Sequence, residues 1–599
     1  MTQSPLTDYS ARKEEHHTKG MKLEERSTLL ANARLVVFVA ALGVAWLTWE
    51  GALAQLWPVL PLVGLFVLLA LIHVVVDERR ASEARRVDYY QAGLDRLQHA
   101  WIGRGHAGEH YRFVDHVYVK DLDVFGRGSL FERLNTTCTS VGEDTLARWL
   151  TEPGHREEVL SRQDAVRELS GEVALREDLA VACAKEHIEP SRRRLKEWGR
   201  RGQDPRSARL GKLAVGVTGF GVAAGLGVGL LGASGLFLAA WALGVWALHR
   251  YSRDYRGEVL SGVGGIGEDI RSLLLCLEVI LEHEVHSARL LELRQALSRD
   301  GASASRILRS LQRCVNLRDA QRNQLFAPLG FFLLWDVFLS VAVERWRTRF
   351  GKELVGWLEA TGEWDALLAL GCYSYENPLG VFPTLLKPEE GVGAVFRGED
   401  LRHPLLPRDQ CVPNSVKLGD PASVWMVSGS NMSGKSTLLR TVGCNGILAL
   451  AGAPVHARAL ALSPFTLGAT LGIHDSLHDG RSRFYAEVQR LGKLLKMAAG
   501  ERPLLFLIDE IFHGTNSADR SIGAQALISE LVERGAVGLL TTHDLALAKA
   551  AEAAGERVAN VHLRDTVVDG DLIFDYRVHS GILTHTNALH LMRAVGLGV

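Results

Sequence analysis

One stretch limits the fold of this chain more than any other. Val424–Val427 is a short apolar strand, followed by Gly429-Ser430-Asn431-Met432-Ser433-Gly434-Lys435-Ser436-Thr437 and then by Leu438-Leu439-Arg440, which reads as helix. Strand, glycine loop and helix in that order make a full Walker A context. The glycines let backbone N–H groups wrap phosphate oxygens at a helix N-terminus, Lys435 reaches the β- and γ-phosphates, and the Ser436 hydroxyl is suited to Mg²⁺. Gly429, Asn431, Met432, Ser433, Gly434, Lys435, Ser436 and Thr437 are therefore the candidate nucleotide-binding residues, with ATP and Mg²⁺ as the expected cofactors.

Two later strands add to this site. Leu504–Ile508 is continuously apolar and ends in Asp509-Glu510. A buried strand of that kind delivers Asp509 as a second Mg²⁺ ligand and places Glu510 to polarise an attacking water. Ala536–Leu540 leads into Thr541-Thr542-His543-Asp544. A lone Thr-His pair is weak evidence, but after two phosphate-site motifs in order His543 is placed to sense the γ-phosphate. Lys435, Glu510 and His543 are the candidate catalytic residues of this half.

At 599 residues the chain is too long for one core, and several domains are expected. The formal net charge of −1 argues against a chain-wide polyanion-binding surface. Seven cysteines, at 138, 183, 276, 314, 372, 411 and 444, stand far apart, as expected of free thiols.

Hydrophobic residues reach 47% and are concentrated in blocks. Leu29 to Val76 reads as two apolar stretches split at Trp49-Glu50-Gly51 and Trp57-Pro58, each long enough to cross or nearly cross about 30 Å of hydrocarbon. Leu213 to Leu248 carries no charged residue and has a natural turn at Leu231-Gly232-Ala233-Ser234-Gly235. Gly221, Gly225 and Gly229 recur there at a spacing that permits close helix approach. Arg26, Arg34, Arg79, Arg80, Arg85 and Arg86 flank the first block; Arg200, Arg201, Arg206, Arg209, Lys212, Arg250 and Arg253 flank the second. The turns carry none, so the positive-inside rule puts both ends of each hairpin on the cytoplasmic side. A third apolar run, Leu325 to Val343, contains Pro328 and Asp336 and is expected to be a buried core helix, because a carboxylate is costly at mid-bilayer.

Further segments carry a resemblance. Gly429-Ser430-Asn431-Met432, the stretch Asp475-Ser476-Leu477 with Gly480-Arg481-Ser482-Arg483-Phe484 and Glu487, Asp509-Glu510-Ile511 with Gly514-Thr515, and Ala559-Asn560-Val561-His562-Leu563 together resemble the ATPase domain of the MutS family, in order, over roughly 401–599. Upstream, Ser129-Leu130, Leu134-Asn135-Thr136-Thr137-Cys138-Thr139, Gly142, Leu146, Trp149-Leu150 and Pro153 more loosely resemble the start of its lever and core domain. The resemblance implies an ABC-type site shared by two subunits, in which Ser482 acts on the partner's nucleotide. It also implies a homodimer. Tyr576 falls where the family stacks a histidine on the adenine, Cys411 where it has a phenylalanine, and Arg483 where a threonine is usual.

The expected fold is thus an α/β P-loop NTPase domain (401–599), preceded by a polar segment (1–28), a membrane hairpin (29–78) and a helical lever/core region (79–400) interrupted by a second hairpin (213–248). The expected location is the cytoplasmic membrane, multi-pass, with the ATPase domain in the cytoplasm. Before Leu122 no mismatch-reading domain or Phe-x-Glu wedge is found, so base-stack insertion is not expected. The function this implies is ATP-driven lever movement, with duplex DNA as a partner by resemblance alone. The alternative is a mechanochemical ATPase acting on a membrane or protein partner without DNA. With no intramembrane charge cluster, a solute transporter is the weakest reading. The basic run Arg192 to Lys212 suits anionic headgroups better than DNA.

Overall fold

A computed structural model describes residues 4–50, 57, 59–112, 116–186, 192–202, 204–299, 301–320, 327–387, 394–419, 421–430, 432–472, 483–512, 517–543, 547–548, 555–568 and 571–582. They fall into two compact units, one made of residues 1–101, 173–283 and 302–355 and the other of 102–172, 284–301 and 356–599. The helices used below are α1 (Pro5–Trp49), α2 (Val59–Leu97), α3 (Ser140–Thr151), α4 (Val173–Glu186), α5 (Arg206–Leu231), α6 (Leu236–Tyr251), α7 (Gly267–Glu282), α8 (Ala327–Phe332), α9 (Trp335–Glu376), α10 (Lys435–Ala451), α11 (Arg483–Ala498) and α12 (Ser517–Glu533). The strands are β1 (Thr384–Leu385), β2 (Phe396–Leu401), β3 (Asn414–Leu418), β4 (Val424–Ser428), β5 (Ala459–Leu462), β6 (Thr466–Thr470), β7 (Leu504–Ile508), β8 (Val537–Thr542), β9 (Val558–Val568) and β10 (Asp571–Ser580).

The first unit is helical. α1 starts where Ser4 caps the Thr7 N–H and Pro5 occupies the first turn, and it runs through the polar N-terminal stretch without a break. It lies antiparallel to α2, tied by His16 to Glu83 at 2.7 Å, Ser27 to Asp77 at 2.7 Å and Arg34 to His73 at 2.8 Å. α4 joins the other end of α2 through Arg86 and Asp178 at 2.9 Å and through the Tyr90 hydroxyl on Glu177. The Cys183 and Cys276 thiols of α4 and α7 lie 3.0 Å apart, and none of the seven cysteines is in a disulfide among the described residues.

α1, α2 and α5 are long and apolar enough to cross a membrane, and their apolar windows are 0%, 0% and 11% buried. The α5–α6 turn falls at Gly232, whose φ of 65° closes the helix. Of the three spaced glycines, only Gly221 meets α6: a Cβ there would stand 2.3 Å from Trp241 Nε1, whereas Gly225 and Gly229 face open space. The run 325–343 departs from the single buried helix expected of it. The chain breaks at Leu334, with φ of 52°, and Leu329, Phe331, Phe332 and Leu333 are exposed while Val337, Leu339, Val341 and Val343 are buried.

The second unit holds the α/β region. Its six-stranded sheet has the order β10-β9-β4-β8-β7-β6. β6, β7, β8, β4 and β9 are mutually parallel, and β10 is an antiparallel edge. The sheet is therefore mixed rather than purely parallel, because β9 returns through a short reversal instead of a helical crossover. Val424, Met426, Phe506, Ile508, Leu531 and Leu540 belong to its core. A second, four-stranded sheet has the order β1-β5-β2-β3. Residues 102–172 and the C-terminal part of α9 pack in the same unit: Asp365 accepts from the Cys138 and Thr139 amides and the Thr139 hydroxyl at 2.7–3.1 Å, at the N-terminus of α3.

Candidate active site

The central strand β4 is flanked on both sides by parallel partners, so its C-terminal end opens at the carboxyl edge of the sheet, where ligands bind in such folds. The glycine loop 429–434 leaves from there. Gly434, with φ of 97°, turns the chain into α10; a Cβ at that position would meet the Tyr576 ring at 3.1 Å. Met432 also has positive φ and is exposed. Asn431 lies outside the described residues.

Lys435 begins α10, and its ammonium donates to the Gly429 and Ser430 carbonyls, at 2.8 Å each. Burial lowers its pKa, against which the charges of Glu510, Asp509 and Asp565 act. The Ser430 and Ser433 hydroxyls beside it are buried with no hydrogen-bond partner among the described residues. Leaving such a group unsatisfied costs about 1–3 kcal/mol. A loop with buried donors, a buried cation and a helix N-terminus fits an oxyanion.

β7 and β8 bring the carboxylates to this loop. Ser436 Oγ donates to Asp509 Oδ2 at 2.5 Å, and the Thr541 hydroxyl donates to the other Asp509 oxygen while accepting from the Glu510 amide at 3.0 Å. His543 Nδ1 lies 3.3 Å from Glu510 Oε1. Glu510 and Phe512 both have positive φ, 50° and 56°, a backbone shape unfavourable for these residues. The turn is held by Glu487 of α11, which accepts the Phe512 amide, and by Phe484 against the Phe512 ring at 6.1 Å. Lys435, Ser436, Asp509, Glu510 and His543 thus converge. Ser482 falls outside the described residues, as do residues 473–481; Arg483 opens α11.

Beside the loop is a cavity of 390 Å³ lined by Cys411, Asn414, Gly434, Thr437, Leu563 and Tyr576, among others. The positions read from the family pattern as adenine contacts, Tyr576 and Cys411, share this cavity with Thr437. The Cys411 sulfur is buried and accepts the His403 amide at 3.2 Å.

Three residues that the motifs do not reveal complete the arrangement. Asn414 on β3 grips β10 by donating to the Tyr576 carbonyl at 2.9 Å and accepting from Val578 N at 2.8 Å, which fixes Tyr576 at its φ of 54°. Asp565 on β9 adds negative charge near Lys435. Asp121 accepts from the Leu471 and Gly472 amides, 3.1 Å each, immediately ahead of residues 473–482. Two residues on, Asp123 pairs with Arg440 of α10 at 3.0 Å, and the Cys444 thiol donates to the Leu122 carbonyl at 3.6 Å. Segment 121–123 therefore touches both α10, which follows the glycine loop, and the residues after β6 that lead toward Ser482. Only two aspartates at unremarkable spacing mark it in sequence.

Sequence comparison bears on this region directly: residues 425–598 match MutS domain V. The C-terminal region is similar to that domain. The DNA mismatch repair protein MutS of Macrococcus caseolyticus is 30% identical over 237 residues, which cover 39% of this chain and 28% of that one. The endonuclease MutS2 of Clostridium botulinum is 30% identical over 236 residues, 39% of this chain and 29% of its own. That of Thermus thermophilus is 36% identical over 163 residues, 27% and 21%. The match thus spans less than a third of each relative. Within the matched region the glycine loop, the Asp509-Glu510 turn and the Leu563 end of the strand Ala559–Leu563 lie at the carboxyl edge of one sheet.

Proposed function

We propose that this protein is a membrane-anchored, MutS-like ATPase that hydrolyses ATP at a site shared by two copies of the chain and couples it to lever movement on DNA. The observation that carries the reading is the convergence of Lys435, Ser436, Asp509, Glu510 and His543 on the glycine loop. In it Lys435 and the loop amides bind the phosphates of ATP, Ser436 and Asp509 hold Mg²⁺, and Tyr576 stacks on the base. The hard-oxygen pair of Ser436 and Asp509 suits a small cation that keeps most of its waters. When bound, Mg²⁺ supplies charge neutralisation at the β- and γ-oxygens. Glu510 accepts the proton of the attacking water, His543 donates toward the γ-phosphate, and the partner subunit's Ser482 completes the site.

DNA enters from the names of the relatives, two of which are a mismatch repair protein and an endonuclease. The exposed apolar faces of α1, α2 and α5 support the anchoring, with the ATPase domain in the cytoplasm. Those same faces favour a second reading, a mechanochemical ATPase whose levers act on the membrane or on a protein without DNA. ATP turnover by detergent-solubilised protein, with and without duplex DNA at low and high salt, separates the two. Stimulation by DNA that fades with salt and is absent in Lys435→Ala supports the first; no binding at low salt rejects it.

A further inference from the structure

Helix α8 and the residues that follow it carry an apolar surface that the reading above leaves unassigned. Leu329, Phe331, Phe332, Leu333 and Trp335 are 36–57% exposed, within seven residues of chain. In water such a cluster is unfavourable, at roughly 25 cal/mol for each Å² of apolar surface. It is continuous with α6: Phe332 packs on Trp241 at 5.7 Å, Phe331 stacks on His249 at 4.2 Å, and His249 Nε2 bonds the Phe331 carbonyl at 2.9 Å. Elsewhere on its surface α6 exposes Phe237, Leu243 and Trp246, and α5 exposes Phe220, Leu226 and Leu230.

Two observations remove the objections to placing this cluster in lipid. Asp336, whose charge argued for burial in protein, is paired with Arg256 at 3.0 Å; Arg256 also bonds Ser252 Oγ and the His249 carbonyl, at 3.0 Å each. The carboxylate is therefore neutralised at the foot of the cluster. The break between α8 and α9 also keeps much of its backbone bonded from within: Leu333 and Leu334 donate to Leu329 and Phe331, and Val337 and Phe338 both donate to Leu334, at 3.0–3.2 Å. Internal satisfaction of this kind is what hydrocarbon demands of non-continuous helix. Exposed Arg250 and Arg253 lie just beyond, where anionic headgroups would meet them.

We propose that α8 is a third membrane-inserted element, a short wedge that enters the bilayer beside the α5–α6 hairpin and leaves it at the Asp336–Arg256 pair. The occupant of this face is lipid. The inference rests on the membrane anchoring proposed above. Its consequence is that α9 begins at the membrane surface and continues from there to Glu376.

The test places a photo-reactive benzophenone amino acid singly at Leu329, Leu333, Leu226 or Leu291 of the full chain. Each variant is reconstituted into vesicles of phosphatidylcholine and phosphatidylglycerol, and adducts are read by mass. Leu226 reports the α5–α6 hairpin, and Leu291 is an exposed leucine of the other unit. Lipid adducts at 329 and 333 comparable to those at 226, and lost at 291, are expected. Lipid at 226 with only protein adducts, or none, at 329 and 333 overturns the wedge and leaves the hairpin standing. Loss at all of 226, 329 and 333 overturns both.

Discussion

The carboxylate of Asp121 lies 3.0 Å from the guanidinium of Arg490, although 369 residues separate them. With the Leu471 and Gly472 amides on the same carboxylate, the pair clasps the residues just after β6 to the middle of α11, elements that precede and follow the serine-bearing segment in the chain. Burial pushes the Asp121 pKa up; Arg490 and the two amides pull against it. The clasp thus keeps a buried carboxylate beside donors that favour its charged form.

Replacing Asp121 with alanine leaves two amides and a cation without their acceptor. Stability to urea is expected to fall by roughly 1–3 kcal/mol. ATP turnover should drop by about tenfold or more, because small misplacements at a distance weaken chemistry. The KM for ATP should hardly move, since the Lys435 cradle is untouched, and Asp121→Asn should recover part of the rate. A folded Asp121→Ala protein with full turnover would show the clasp to be structural only.

On the proposed reading, Glu510→Gln removes the proton acceptor and leaves Lys435 and the glycine loop in place. The variant is expected to bind ATP and to accumulate as a closed dimer, visible by size exclusion with nucleotide and absent without it. A nucleotide-bound monomer would be incompatible with a shared site.

Subunits carrying Ser482→Ala and subunits carrying Lys435→Ala should each be inactive alone. If the site is shared as proposed, the mixture contains one intact composite site per mixed dimer, and about half of a site pair's activity should return. Mixed dimers that form, as checked by differential tags, yet stay inactive would sink the model.

Asp365 gives a pH signature. Burial raises its carboxyl from 3.8 to about 6, opposed by the bonds from Thr139 and Cys138. Between those values the folded chain keeps a proton that the unfolded chain has lost. Stability from this residue is therefore full below about pH 4, falls as pH rises and is flat above about pH 6. Asp365→Asn lacks the titration, so wild-type stability relative to the variant should decline by on the order of 3 kcal/mol across that window. Parallel urea titrations at several pH values measure it; a constant difference contradicts the assignment.

What the sequence determined by itself was local. The glycine loop with Lys435 and Ser436, the strand ending in Asp509-Glu510, the Thr541–His543 segment and the turn at Gly232 could be read because their chemistry depends on neighbours a few residues away. Tyr576 and Cys411 came from family resemblance, and the fold puts both on one cavity. Only the tertiary structure decided which distant groups hold those motifs in place: Asp121 on Leu471 and Gly472, Asn414 on β10, Asp365 on Thr139. It also decided that the run 325–343 divides at Leu334, with one half buried and the other bare. The reason is that periodicity and composition record which side chains avoid water, whereas the partner that covers a face, or satisfies a buried carboxylate, is chosen by packing between segments far apart in the chain.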